Sequence, residues 1–155
     1  VAMDRISRDA MFMDIALTLA ERSTCTRAKV GAVLVRDNRI ITTGYAGAPS
    51  SMPHCLDVGC DVKSHLAPED QHCLRTVHAE ANVIAFAAKY GIKTEGATLY
   101  CTHRPCENCS KLLINAGIRE VIYLSEYGDR AGLDLLVRAG VRVRSFDRAL
   151  WNGSD

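Results

Sequence analysis

Two short stretches, His78-Ala79-Glu80 and Pro105-Cys106-Glu107-Asn108-Cys109, constrain this chain more than any other feature. Together they require a fold that brings two separate segments to one point. One imidazole and two thiolates supply three donors for a tetrahedral Zn²⁺ and leave one corner for a reactant, the arrangement of a catalytic rather than a structural zinc. Glu80, two residues past the histidine, remains as an unbound carboxylate. Water activated at such a metal needs a proton carrier of that kind.

The flanking residues place both stretches at helix starts. His78 opens an apolar run of Val83, Ile84, Phe86, Ala87 and Ala88 that ends at Gly91, a natural residue just past a helix end. Pro105 suits the first turn of a second helix, which runs through Leu112, Leu113 and Ile114 and stops near Gly117. Cys106 and Cys109 then lie one turn apart on one face, and the positive ends of both helix dipoles favour their thiolates. Taken alone, C-x-x-C reads equally well as a redox pair or half a zinc knuckle, and a single histidine as a surface or core residue. The ordered pair, H-x-E followed by P-C-x-x-C, is far more restrictive and is the signature of zinc-dependent nucleobase deaminases.

The remaining sequence suggests one domain over residues 1–155, a length that supports one core and not two. A first helix is expected from about Ser7 to Glu21, with Phe12, Ile15, Ala16 and Leu19 on one face. Strands are expected at 30–36 and 39–44 around Asp37-Asn38, a good two-residue hairpin turn, and again at 97–101, 119–124 and 141–146. A helix from about Asp129 to Ala139 separates the last two strands, which implies a right-handed crossover with those strands parallel. The fold class expected is α/β: a three-layer α-β-α arrangement around a five-stranded mixed sheet. Residues 45–75 form a long irregular insertion.

Charge narrows the function. The formal net charge is +1 with no basic run, which argues against an enzyme that relies on a nucleic-acid backbone or keeps a stable nucleic-acid partner. No apolar stretch approaches membrane-spanning length and no signal-peptide pattern opens the sequence, so a reduced, cytoplasmic setting is expected. In that compartment seven cysteines suggest metal ligands before disulfides.

Over nearly its whole length the chain resembles the deoxycytidylate deaminases of the bacterial late-competence and phage type, members of the cytidine deaminase-like fold. The segments that carry the resemblance are RSTCTRAKVGAVLV, TGYAGAPSSMPHC, HCLRTVHAEANVIAFAAK, GATLYCTHRPCENCSKLLINAGI and VIYLSEYG. The zinc motif alone specifies only the superfamily, whereas the GY-x-G-x-P loop, the long insertion and H-A-E-x-N are similar to this family in particular. The resemblance implies hydrolytic deamination of dCMP to dUMP and ammonia, supplying dUMP for thymidylate synthesis. Zinc would sit on His78, Cys106 and Cys109, and Glu80 would carry protons to ring N3 and to the departing amine.

Cys25, Cys55, Cys60 and Cys73 flank or lie within the insertion, while Cys101 lies in an expected strand and reads as a buried core residue. A long loop needs something to order it, and a second, four-cysteine zinc would do so. His54, His65 and His72 compete for the last two ligand places, and a disulfide is the alternative that the compartment disfavours. The family resemblance implies an additional structural zinc at positions matching Cys25 and Cys55.

A mononucleotide also needs partners for its 5′-phosphate. Candidates are Arg27, Lys29, Arg104 and Tyr123 or Tyr127, although any one of them, taken alone, is more often a solvated surface residue. Family resemblance implies homohexamers activated by dCTP and inhibited by dTTP with Mg²⁺, with Tyr45, Gly47, Phe86 and Lys89 matching effector-site positions. One departure stands out. Where the family loop reads Gly-Tyr-Asn-Gly, this chain has Gly44-Tyr45-Ala46-Gly47, and Ala46 lacks the side-chain amide that contacts the nucleoside sugar in related deaminases. The competing functions are deamination of another cytosine, guanine or tRNA adenosine substrate, and a catalytically silent zinc scaffold. An intact Glu80 speaks against the scaffold.

Overall fold

The computed structural model describes residues 5–63, 65–67, 72–126 and 129–147. Tyr127, one of the phosphate candidates, lies outside them. The chain opens with α1 (Arg8–Ala20), where the Ser7 hydroxyl accepts the Ala10 N–H at 3.2 Å and so caps the helix. Phe12 and Ala16 are buried on the expected face, and Ile15 and Leu19 pack half-buried along its edge.

A hairpin follows, β1 (Gly31–Arg36) and β2 (Arg39–Tyr45). Asp37 and Asn38 both take positive φ, 53° and 59°, the requirement of a two-residue turn whose twist matches its strands. After the insertion come α3 (Ala79–Lys89), β3 (Thr98–His103), α4 (Glu107–Asn115), β4 (Glu120–Ser125), α5 (Ala131–Arg138) and β5 (Arg142–Ser145). The sheet has five strands in the order β2-β1-β3-β4-β5. Strand β1 is antiparallel to β2 and β3, whereas β3, β4 and β5 run parallel. The β4–β5 crossover follows the sequence pattern. The β3–β4 pair is parallel as well, because α4 carries the chain back between them.

The alternation of side chains sorts the strands between two covers. Val33, Val35, Tyr100 and Ile122 face α1, with Phe12 and Met13. Ala32, Leu34, Leu99, Cys101 and Val121 face the opposite layer, with Val83 of α3, Leu113 of α4 and Leu133 and Leu136 of α5. A sheet covered on both faces accounts for strands that read as near-continuous apolar runs.

Two glycines allow close approaches that shape the site. A Cβ on Gly44 would come within 2.5 Å of the Ala79 carbonyl oxygen, so only glycine lets the end of β2 lie against the first turn of α3. On Gly132 it would come within 2.3 Å of the Pro105 carbonyl oxygen, so α5 presses directly on the loop that carries Cys106.

Three expectations need correction. Pro105 is not in the first turn of α4. Cys106 is the N-cap, with φ −70° and ψ 169°, and its sulfur accepts the Cys109 N–H at 3.4 Å, so the helix starts at Glu107. Tyr123, a candidate partner for the 5′-phosphate, lies within β4 and is buried in the core rather than offered to a ligand. The described part of the 45–75 insertion is also more ordered than a structureless loop. It holds a short helix, α2 (Cys55–Val58), while Gly47 pairs with Val77 and Val62 with Cys73 across antiparallel bridges. Among the described residues no helix is long and apolar enough to cross a membrane.

Candidate active site and metal centres

His78 and Cys106 occupy equivalent places. Each is the extended N-cap residue of its helix, α3 and α4 respectively, so both helix starts converge on one cluster. The ligand atoms of His78, Cys106 and Cys109 all lie within 4.8 Å of one another. His78 Nδ1 is 3.5 Å from both Cys106 Sγ and Cys109 Sγ. Three donors of this chemistry are one short of a tetrahedral zinc, which is the donor set of a site with a place for a reactant. The residues fit a catalytic zinc.

The electrostatics agree with that fit. The Cys109 thiol donates to Cys106, which holds Cys106 down at about 4 against its burial and pushes Cys109 up. His78 is raised chiefly by its hydrogen bond with Cys106. The cluster thus already stabilises one thiolate, and a dication is the charge that would bring the second sulfur to the same state.

Glu80 lies in the first turn of α3 and is only 4% exposed. Burial pushes its carboxyl up to about 7, only partly offset by a backbone hydrogen bond and the charge of His78. The Cys101 thiol adds a further hydrogen bond to it. A carboxyl poised near neutrality both takes and gives a proton readily. Cys101 thus sits under the carboxylate, a place its strand pattern does not reveal.

The second cysteine group also closes into a cluster. Sulfur atoms of Cys25, Cys55, Cys60 and Cys73 lie within 4.8 Å of one another, with Cys55 and Cys73 at 3.5 Å and Cys25 and Cys60 at 3.9 Å. Four sulfurs complete a tetrahedral zinc shell without a vacant corner, so this donor set suits a structural ion. Burial would raise Cys73, yet hydrogen bonds from Thr76, the Asp61 and Arg75 backbone and Cys55 bring it down to about 6. Burial pushes Cys55 up to about 12. Of the competing histidines, His54 is engaged elsewhere: its Nδ1 lies 2.9 Å from Thr24 Oγ1 and 3.4 Å from the Ala48 N–H. His65 and His72 are exposed and stand outside the cluster.

The substrate and effector candidates divide. Arg104 is half-buried and directly precedes Pro105, with its N–H on the Ser125 carbonyl at 3.0 Å, at the carboxyl ends of β3 and β4. Ligands of open α/β sheets bind at such ends. Lys29 instead pairs with Glu21 at 2.7 Å on the surface, and Arg27 is exposed. Ala46 is 4% exposed, its N–H on the Val30 carbonyl and its carbonyl accepting the Thr24 N–H, both at 3.0 Å. Tyr45 is half-buried and Gly47 buried in the bridge to Val77. Phe86 is half-buried, and Lys89 is exposed with its Nζ 5.5 Å from the Tyr90 ring centre.

Sheet, helices and three-donor cluster together define a deaminase of the cytidine deaminase-like fold. More narrowly, the chain belongs to the cytidine and deoxycytidylate deaminase family, whose zinc-binding region matches residues 6–125. It is 43% identical over 146 residues to ComE operon protein 2 of Bacillus subtilis, covering 94% of this chain and 74% of that one. It is 37% identical over 143 residues to deoxycytidylate deaminase of Saccharomyces cerevisiae, covering 92% of this chain but only 46% of that enzyme. Among solved structures, the dCMP deaminase of cyanophage S-TIM5 in complex with dCMP and dUMP superposes with a TM-score of 0.76. That pair is 32% identical and covers 88% of this chain and 94% of the phage chain.

Proposed function

We propose that this chain hydrolyses dCMP to dUMP and ammonia. The observation that carries the reading is Glu80, a buried carboxyl raised to about 7, two residues from the histidine of a three-donor His-Cys-Cys cluster. The substrate is supported by relatives named deoxycytidylate deaminase and by the phage enzyme crystallised with dCMP and dUMP.

His78 Nδ1, Cys106 Sγ and Cys109 Sγ would hold the catalytic zinc. When bound, that ion supplies a Lewis-acidic position that brings the pKa of water near neutrality. Glu80 accepts the proton released by the attacking water and delivers it to N3 of the cytosine ring as C4 becomes tetrahedral. It then takes the proton of the new C4 hydroxyl and passes it to the amino nitrogen, so the C4–N bond breaks, the C4 carbonyl forms and ammonia leaves. Burial raises the carboxyl toward neutrality, which suits it to accept a proton from the attacking water and to give one up again. Arg104, half-buried at the carboxyl ends of β3 and β4, and the exposed Arg27 are the groups offered to the 5′-phosphate.

Cys25, Cys55, Cys60 and Cys73 hold a second, structural zinc in this reading. Residues 1–155 act as one domain in the cytoplasm, supply dUMP for thymidylate synthesis and assemble as homohexamers. Tyr45, Gly47, Phe86 and Lys89 serve dCTP as activator and dTTP with Mg²⁺ as inhibitor, on the strength of the family resemblance.

An ammonia-release assay over cytosine, cytidine, deoxycytidine, CMP, dCMP and dCTP tests the reaction. The highest kcat/KM is expected for dCMP. Preference for a free base or nucleoside would overturn the substrate, and no release from any of them would overturn the activity.

A further inference from the structure

The two cysteine-containing clusters share one short stretch of backbone, residues 73–78. At its start, Cys73 belongs to the four-cysteine cluster. Thr76 Oγ1 donates to Cys73 Sγ at 3.5 Å and lies 3.5 Å from Cys55 Sγ, so one hydroxyl touches two of the four sulfurs. The next residue, Val77, exchanges both backbone hydrogen bonds with Gly47, at 3.2 and 2.8 Å. His78 follows at once, capping α3 and offering Nδ1 to the other cluster.

The opposite side repeats the arrangement. Cys25 follows Thr24, whose N–H donates to the Ala46 carbonyl at 3.0 Å. Thr24 Oγ1 also lies 2.9 Å from Nδ1 of His54, the residue that caps the helix beginning at Cys55. Ala46 and Gly47 are therefore clamped between a segment leading from Cys25 and one leading from Cys73.

We propose that the four-cysteine cluster is the footing of the catalytic histidine, with Thr76 as the positioning residue that joins the two. A metal on Cys25, Cys55, Cys60 and Cys73 fixes the 73–78 strap at its origin. The Val77–Gly47 pair then leaves the strap little freedom before His78. A ligand held in place before the metal arrives binds it more tightly than one that must first be ordered, and hydrogen-bond partners behind the ligands supply that order. Thr76 acts through Cys55, Cys73 and the chain to His78.

The inference rests on reading both clusters as zinc sites, and its test uses no turnover. Protein loaded with Co²⁺ distinguishes four-sulfur from two-sulfur, one-nitrogen coordination by absorption, so release from each site to a chelator is followed separately. Thr76→Val removes the hydroxyl and keeps the shape, while Thr76→Ser keeps the hydroxyl. Thr76→Val is expected to release metal from both sites on the order of 10-fold faster than wild type, with Thr76→Ser close to wild type. Wild-type release from the His78 site in Thr76→Val would overturn the coupling, whatever happens at the four-cysteine site. Should Thr76→Val not fold, Cys60→Ser, which alters the half-buried ligand, carries the same comparison: faster loss from the His78 site supports the coupling and unchanged loss overturns it. Absence of either band in loaded wild type overturns the metal reading itself. Failure of the deaminase reading would show instead as no ammonia release from protein carrying both bands.

Discussion

Asn82 Nδ2 donates to the Tyr45 carbonyl at 2.8 Å, fastening the end of β2 to the helix that carries Glu80. The two residues come from different motifs, H-A-E-x-N and GY-x-G, and this bond is a reason for both to occur in one chain. Thr42 Oγ1 reinforces it by donating to the Val83 carbonyl at 3.0 Å, and Gly44 permits the approach.

Asn82→Ala is therefore expected to loosen the Tyr45–Gly47 segment. A part-buried carbonyl left without its donor costs about 1–3 kcal/mol. Hydrogen exchange at the amides of Ala46 and Gly47 should accelerate, because their segment loses its link to α3. Unchanged exchange there would show that the bridge to Val77 holds the loop unaided.

Glu80→Gln should retain the catalytic metal and lose turnover. The amide fills nearly the same space but carries no titratable proton. General acid–base catalysis contributes roughly 10²–10⁴ in rate, and the residue acts on two transfers in the proposed cycle. Metal content and kcat measured on the same preparation check this, and a kcat within a few-fold of wild type would remove Glu80 from the mechanism.

Much of this fold is legible in the sequence because its signals are local. Asp37-Asn38 tolerates the positive φ of a hairpin turn, and α1 displays its apolar face at helical spacing. His78, Cys106 and Cys109 fall into two short motifs, so their convergence is readable before the coordinates. What escapes is carried by distant pairs. Nothing near Cys101 in sequence reveals that its thiol reaches Glu80. Spacing leaves His54, His65 and His72 open as ligands, and only the fold turns His54 toward Thr24 and Ala48. Pro105 misleads for a different reason: the Cys106 sulfur caps α4, a role that capping statistics reserve for oxygen side chains.

Metal analysis should find about two zinc ions per chain, one for each donor set. Cys55→Ser should lose one of them and lower the thermal midpoint, since Cys55 is buried against Cys73 and begins α2. A single zinc in wild type, with Cys55 free toward a thiol reagent, would exclude the second site.

Tyr100 offers a pH test far from either cluster. Burial pushes its phenol above the ordinary 10, and its hydrogen bond to Asp9 and the charges of Asp9 and Glu120 push it further. The folded state thus holds the proton to higher pH than the unfolded state. The contribution is intact below about pH 10 and is lost as pH rises beyond it, where the unfolded chain ionises first. Tyr100→Phe should cost about 1–3 kcal/mol at neutral pH, as Asp9 loses a donor and keeps Arg144 at 3.6 Å. The variant should then lose less stability than wild type between about pH 9 and about pH 11. Parallel pH curves from denaturant unfolding would contradict this.

Gly132 links the outer helix to the metal loop. An alanine there would place its Cβ 2.3 Å from the Pro105 carbonyl oxygen, 2.8 Å from the Cys106 carbonyl carbon and 2.8 Å from Ser110 Oγ. Two of those atoms are backbone, so no side-chain rotation relieves the contact, and either α5 or the Pro105–Cys106 loop must shift. Overpacking of this kind costs roughly 1–3 kcal/mol. If the loop yields, Cys106 moves relative to His78, and Gly132→Ala should lose catalytic zinc more readily and show lower kcat/KM at full fold. If α5 yields, stability falls while zinc affinity stays at the wild-type value. Zinc competition with a chelator, read beside the thermal midpoint, separates the two. The first outcome is expected, because α5 is held against the sheet by fully or almost fully buried Leu133 and Leu136 whereas Cys106 is only half-buried. A lowered midpoint with wild-type zinc retention would show that α5 covers the site without positioning it.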